Sequence, residues 1–405
     1  MTDRELDLVL LGATGFVGRL TAAHLARSAP SGLRVGLAGR SAERLAAVRA
    51  ELGGGAAGWE LRTVDVTQDT AVDRLAEQTR VLATTVGPYA RWGLPVVRAC
   101  AGHGTHYADL TGETLFVRDS IATAHAAAQA SGARVVHACG FDSVPSDLGV
   151  RLVADAAAAD GEGTPGATAL HVVSMRGGFS GGTIDSGRQQ QVAVAGRPDL
   201  QRVVADPEAL SGSSGSGRQR RGHAVMTRDT ARDVWTGPFV MGGFNRQVVL
   251  RSDALQGWAY GPSFDYREVV DTGRGPRGVV GAAVVAGATA VVMGGLSFAP
   301  TRALLDRVLP SPGEGPSDAA RERGRFHVEV ETTTTTGARY VATVAAPYDP
   351  GYDGTAVMLG ESALALASDP LPEAAGVLTP TTGVGTGLAA RLRDHRFEVG
   401  VRRVG

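Results

Sequence analysis

One stretch constrains this chain more than any other: LLGATGFVG, residues 10–18, which closes an apolar run and opens a helical one. The run LDLVLL (6–11) reads as a buried strand, and residues 16–28 read as a helix. Gly12, Gly15 and Gly18 each have a separate geometric task. The first permits a tight turn, the second lets a diphosphate come against the backbone, and the third lets the helix pack on the strand. The helix N-terminus then faces the anion. A glycine triplet alone is a weak signal; here the strand–turn–helix context surrounds it, with a further strand downstream. The reading is a dinucleotide site built from Gly12, Ala13, Thr14, Gly15, Phe16, Val17 and Gly18.

The surrounding rhythm agrees. Strands are expected over 33–38, 60–66, 80–86, 106–110 and 133–139, with helices over 42–52, 70–79, 93–104 and 113–131. This alternation implies a parallel sheet with right-handed crossovers, an N-terminal Rossmann domain over 1–145. After 145 the pattern changes. Helices are expected over 145–159 and 180–194, a strand over 167–178, and β-prone runs over 244–252, 264–272, 325–336 and 338–346. The last two flank Thr336-Gly337 as a hairpin. The fold class is therefore α/β, with a second α+β domain (146–352) on a mostly antiparallel sheet, a substrate domain and candidate homodimer surface. The Ser/Gly/Arg-rich stretch 211–222 reads as a mobile loop.

The second strand selects the cofactor. An NAD site would place an acidic residue at its end. None occurs from Leu33 to Ala42; Gly39-Arg40-Ser41 stands there instead, and an arginine with a hydroxyl suits a 2′-phosphate, hence NADPH. Asp65 and Val66, ending the third strand, approach the adenine edge. The fourth strand runs into TTVGPYARWG, which puts Val86, Gly87, Pro88 and Tyr89 where the nicotinamide half belongs, with Arg91 and Trp92 beyond. THYADLTGE brings Tyr107, Asp109, Thr111 and Glu113 to the same edge, and ACGFDSVPSDLG brings Asp142, Ser143 and Asp147. Part of this polar rim is helix capping, for which Thr111 and Ser146 are placed.

Other features exclude. The net charge of -1 gives no electrostatic case for nucleic acid. Cys100 and Cys139 make no disulfide framework, and with nine scattered histidines no metal constellation is seen, so a cytoplasmic location is expected. The N-terminal apolar run is short and flanked by acids, unlike a signal peptide. Residues 278–296 carry no charge but are rich in Gly and Ala, which reads as a buried helix or a lipid-facing element, a candidate for peripheral membrane contact. No lysine occurs in 1–145, so a Ser-Tyr-x-x-x-Lys site is excluded.

LLGATGFVG, LAGRS, VGPYARWG, HYADLTGE and GFDSVPSD, in this order, resemble the saccharopine dehydrogenase-like oxidoreductases, in the bacterial branch with the trans-acting enoyl reductases of mycobacterial lipid synthesis. SGGTI (180–184), LPSPGEGPS (309–317), GYDGTAVMLGESAL (351–364) and GVLTPTTGVGTGLAARLR (376–393) extend the resemblance to nearly the whole chain. It implies NADP(H) chemistry and C-terminal helices (353–405) returning to the Rossmann domain. It also implies reduction of a conjugated double bond on an apolar small-molecule or acyl substrate, with an imine reductase or a non-catalytic NADP-binding scaffold as alternatives. SGGTIDSGRQQ departs towards polarity, through Asp185, Ser186 and Arg188, and suggests a more polar pocket. For the proton that completes the addition, Tyr89 is the first expected donor and Tyr107 the second, oriented by Asp142 or Glu113.

Overall fold

The structure, a computed structural model, describes residues 4–178, 181–212, 223–297 and 315–404. β1 (Leu6–Leu11), β2 (Val35–Gly39), β3 (Glu60–Thr63), β4 (Thr79–Thr84), β5 (His106–Ala108) and β6 (Arg134–Val136) form a parallel sheet in the order β6-β5-β4-β1-β2-β3. Leu8 to Leu11 are wholly buried, as a central parallel strand covered on both faces requires. Helices α1 (Phe16–Ser28), α2 (Ala42–Leu52), α3 (Asp69–Gln78), α4 (Tyr89–His103), α5 (Thr114–Ser131) and α6 (Val144–Ala159) link and follow these strands. Strand order reverses between β1 and β4, so their carboxyl ends open a crevice at that switch point.

The second sheet contains β7 (Pro165–Arg176), β8 (Thr227–Asp229), β9 (Val234–Pro238), β10 (Asp265–Gly273), β11 (Arg325–Thr334) and β12 (Arg339–Ala346). Only β7 and β10 pair in parallel among these described strands; the rest are antiparallel, and β11–β12 is the expected hairpin. Its helices are α7 (Gly181–Val194), α8 (Pro198–Ala205), α9 (Gly242–Leu255), α10 (Gly275–Ser297) and the short α11 (Asp318–Arg321). α6 leaves the first sheet and packs across β11 and β12; an alanine at Gly149 would put its Cβ 2.5 Å from Val330 Cγ2.

The chain after 353 is not helices alone. α12 (Thr355–Ser368) is buried all round against α1 and β4, which anchors the tail to the first domain. β13 (Gly376–Leu378) then adds to β6 as a seventh parallel strand, and α13 (Pro380–Gly383) and α14 (Gly387–Asp394) follow. β14 (Glu398–Val404) crosses to the second sheet and pairs with β12, so the tail ties both sheets together.

Three further expectations change. Residues 244–252 are helical in α9: Phe244, Val248 and Ser252 recur on one buried face, and packing overrides the β-propensity of Val248 and Val249. TTVGPYARWG is only half loop, because α4 already starts at Tyr89. Of the two placements expected for the uncharged 278–296 stretch, the buried one falls: the stretch forms α10 on the outside of the second sheet. Residues 213–222 of the expected mobile loop and 309–314 lie outside the described residues.

Candidate active site

The glycine loop has the shape its sequence implies. Gly12 sits at φ +90, where an alanine Cβ would also lie 2.8 Å from Thr85 Oγ1 and Val86 Cγ2. At Gly18 a Cβ would lie 2.1 Å from the Gly12 carbonyl oxygen, so helix and strand touch there backbone to backbone. Gly15, the N-cap of α1, is exposed, and a Cβ on it would meet nothing closer than the Gly12 oxygen at 3.4 Å. The protein therefore leaves the space beside Gly15 open, at a helix N-terminus whose first amides have no partners within the helix. That is the cradle a diphosphate needs. Ala13 is buried beneath it, Thr14 leans towards Gly39, and Phe16 packs edge-on against Tyr352 with centroids 5.1 Å apart.

At the adenosine end, β2 stops at Gly39 and Arg40 projects exposed. Ser41 caps α2, accepting from the Arg44 amide at 3.2 Å. Asp65 accepts from the Thr67 amide and hydroxyl at 2.9 and 2.8 Å, and these bonds, helped by Arg40, hold its carboxyl below the usual range. Val66 is buried behind it. Arg40, exposed beside Asp65 at the end of β2, is a cation in position to meet a 2′-phosphate. Arg40→Ala should raise KM for NADPH about tenfold, the loss of one charge-assisted contact. KM for NADH should stay unchanged, which steady-state kinetics with both cofactors would show.

The nicotinamide end separates the sequence candidates. Val86, Gly87, Pro88 and Tyr89 turn from β4 into α4, and a Cβ on Gly87 would meet only the Tyr89 ring, at 3.7 Å. Tyr89 lines the crevice with its ring, but its hydroxyl points inward: it donates to the Thr84 carbonyl at 3.1 Å and accepts from the Leu110 amide at 3.2 Å. Burial, with Asp109 nearby, drives this phenol far above its usual pKa. Tyr107 is farther from the crevice still. It is fully buried, donates to Asp109 Oδ2 at 2.9 Å, and belongs to a chain that continues through His137 to Ser120. That aspartate–histidine–serine line has the composition of a hydrolase triad, but it is sealed in the core. Tyr89→Phe should accordingly cost about 1–3 kcal/mol of stability through the orphaned Leu110 amide. It should leave kcat near wild type, as urea unfolding beside turnover would show.

Glu113 closes the crevice. It accepts from the Tyr89 and Ala90 amides at 2.9 and 2.7 Å, the first turn of α4, and from Ser186 Oγ of α7 at 2.6 Å. Burial raises its carboxyl pKa while these bonds pull it back. α7 thus docks over the cofactor edge, and Gly181, Gly182, Asp185 and Ser186 line the opposite wall. Asp142 lines the same space; Ser143 and Asp147 do not. Ser143 bonds Asn245, and Asp147 pins α6 to α13 through Thr381. Arg91 stacks on Trp92, 4.7 Å from the ring centroid, outside the crevice lining.

Two groups escaped sequence reasoning. Tyr352 reaches the crevice and accepts at its hydroxyl from the Gly181 amide at 3.2 Å. Its only sequence signal is its place in GYDGTAV. On the far side of α1, His24 and His395 both reach Glu361 Oε1, at 2.7 and 3.0 Å, a cluster the scattered histidines do not reveal. Arg391 fills the other Glu361 oxygen at 2.9 Å, so the group ties α1, α12 and α14 together.

Residues 8–136 match the saccharopine dehydrogenase NADP binding domain family. A Mycobacterium tuberculosis protein whose name provisionally makes it a trans-acting enoyl reductase is 47% identical over 413 residues, 96% of each chain. The trans-acting enoyl reductase of Mycobacterium ulcerans is 46% identical over 99% of both chains. The chain belongs to the saccharopine dehydrogenase-like oxidoreductases, in the trans-acting enoyl reductase branch. This oxidoreductase is NADP-dependent, and the glycine cradle and Arg40 fit that cofactor. Saccharopine dehydrogenase (L-Glu forming) of Saccharomyces cerevisiae shares the fold, with a TM-score of 0.56 at 13% identity over 98% of this chain and 99% of that one.

Proposed function

We propose that this reductase uses NADPH to saturate a conjugated carbon–carbon double bond on an apolar enoyl or polyene chain of polyketide or lipid type. The observation that carries this is the chemistry of the crevice wall. Among the described residues that line it none is Arg, Lys or His, whereas Phe16, Val17, Pro88, Leu110 and Tyr352 present apolar surface. A substrate carrying several carboxylates would need cations there. NADPH supplies the hydride when bound. The chain's own residues orient the substrate, exclude water and deliver a proton. Of Tyr89, Tyr107 and Tyr352, Tyr352 is the one whose hydroxyl bonds at the crevice wall, accepting from the Gly181 amide, and this geometry makes it the proton donor of the proposal, although burial raises its pKa. The crevice offers about 180 Å³, less than the several hundred usual for a ligand pocket, and lifting of α7 at the Ser186–Glu113 bond would widen it for a substrate.

Asp142 and Asp185 at the rim favour a second reading, reduction of a cationic imine. NADPH oxidation by the purified protein, with conjugated enoyl or polyene compounds beside cyclic imines, decides between them. Turnover of the conjugated compounds only, lost in Tyr352→Phe, supports the proposal. Turnover of imines only overturns it, and turnover of neither supports a non-catalytic NADP-binding scaffold.

A further inference from the structure

Helix α10 is built inside out for a helix on a soluble protein. The side that faces the protein is mostly small: Gly278 lies against Trp235, Gly281 against Thr272 and Ala282 is fully buried, with Val285 against Gly237 of β9. Val279, Val285 and Val292 are partly buried, while three valines face outward, Val280, Val284 and Val291, exposed at 64, 64 and 65%. A surface helix normally presents charge on that side. Here Gly287, Ala288 and Ala290 continue the exposed apolar strip, and only 11% of the Gly275–Val292 window is buried.

No Asp or Glu occurs between Asp271 and Asp306, whereas Arg274 and Arg277 stand exposed where the helix begins. At the head of the helix Arg274 pairs with the exposed Asp233 at 3.6 Å, which leaves Arg277 as the cation on the strip itself. Arg277 heads the same strip as Val280, Val284 and Val291 by helical spacing. An apolar strip headed by Arg277, with its other face already used by protein, matches a helix lying in the headgroup region of an anionic bilayer.

We infer that α10 docks this protein on an anionic membrane surface, parallel to the bilayer. A second copy of the chain is the weaker occupant. The 23-residue helix is roughly 34 Å long and about 10 Å across. It would bury on the order of 340 Å² per partner, well under the ~800 Å² of a stable dimer. α10 also packs on α7, which walls the crevice, so docking brings the site to the lipid that would carry an apolar substrate. The inference stands on exposure and charge and does not require the double-bond reading.

The test is sedimentation of the full chain with phosphatidylcholine vesicles, with and without phosphatidylglycerol. Wild type should pellet with the anionic vesicles and be released by high salt. Val280→Ser/Val284→Ser/Val291→Ser should abolish pelleting, and Arg277→Glu should weaken it by more than about fivefold, since it removes one surface cation, worth about fivefold, and sets an acid in its place. Both variants should keep NADPH binding and the thermal midpoint; if the triple variant fails to fold, Arg277→Glu carries the test. Wild type that stays in the supernatant with anionic vesicles overturns the inference. So does a triple variant that pellets like wild type, or a wild-type dimer that the triple variant converts to monomer.

Discussion

Replacing Gly15 by alanine should weaken NADPH binding roughly a hundredfold and leave the thermal midpoint unchanged. Gly18→Ala, three residues on, should instead cost about 4 kcal/mol or more of stability. The two glycines occupy the same loop but answer to different neighbours. At Gly15 the nearest protein atom to an added Cβ is 3.4 Å away, an ordinary contact, and the backbone is extended, so alanine fits the protein. What it fills is the space over the N-terminus of α1. A diphosphate pushed off those amides loses one or two charge-assisted hydrogen bonds, each worth about 1.5–3 kcal/mol, which is the basis of the hundredfold figure. At Gly18 the Cβ would sit 2.1 Å from a carbonyl oxygen of β1's turn, and neither backbone can yield without separating α1 from the sheet. Titration of intrinsic fluorescence with NADPH, beside thermal unfolding, separates the outcomes. A Gly15→Ala protein that binds NADPH as wild type does would remove the cofactor from this loop.

That contrast marks what a single sequence exposes. The Rossmann half was legible because its signals are local: LLGATGFVG states its own turn, and strands β1 to β6 alternate with helices at ordinary spacing. Arg40 was legible because it replaces an acid at a fixed place. The rest depends on contacts across long separations. Tyr89 and Tyr107 look equivalent to Tyr352 in sequence, and only the fold shows where each hydroxyl goes. β13 is three residues long and gains its strand character from β6, some 240 positions earlier. α9 carries two adjacent valines, and its helical state is set by what covers Phe244 and Ser252. Ser186 is polarity in an unexpected place in the sequence; its bond to Glu113 gives that polarity a task.

One carboxyl that alternation alone could have flagged should contribute a distinct step to the pH dependence of stability. In β10, Tyr266 and Glu268 point to the same face, and that face is the core. Burial pushes the Glu268 pKa up to about 7, with Asp142 adding to the shift, although Ser146, Tyr266 and Asn245 all donate to it. The unfolded chain ionises this group near 4.5. Between those values the unfolded state has released the proton and the folded state has not, so the unfolded state binds fewer protons and stability falls as pH rises. The contribution of Glu268 to the fall should amount to about 3 kcal/mol from pH 4.5 to 7 and level off above. Glu268→Gln keeps the shape and carries no proton to lose. The network accommodates it by turning the Asn245 amide, which then offers its oxygen to the new NH2 and its nitrogen to Ser143. The variant should match wild type near pH 4.5 and exceed it by up to about 3 kcal/mol at pH 8, with that contribution to the slope removed. Urea unfolding across that range measures both curves. Parallel curves would place the ionisation elsewhere. A variant less stable at every pH would mean that the bonds from Ser146, Tyr266 and Asn245 outweigh desolvation, with Glu268 ionised in the folded protein.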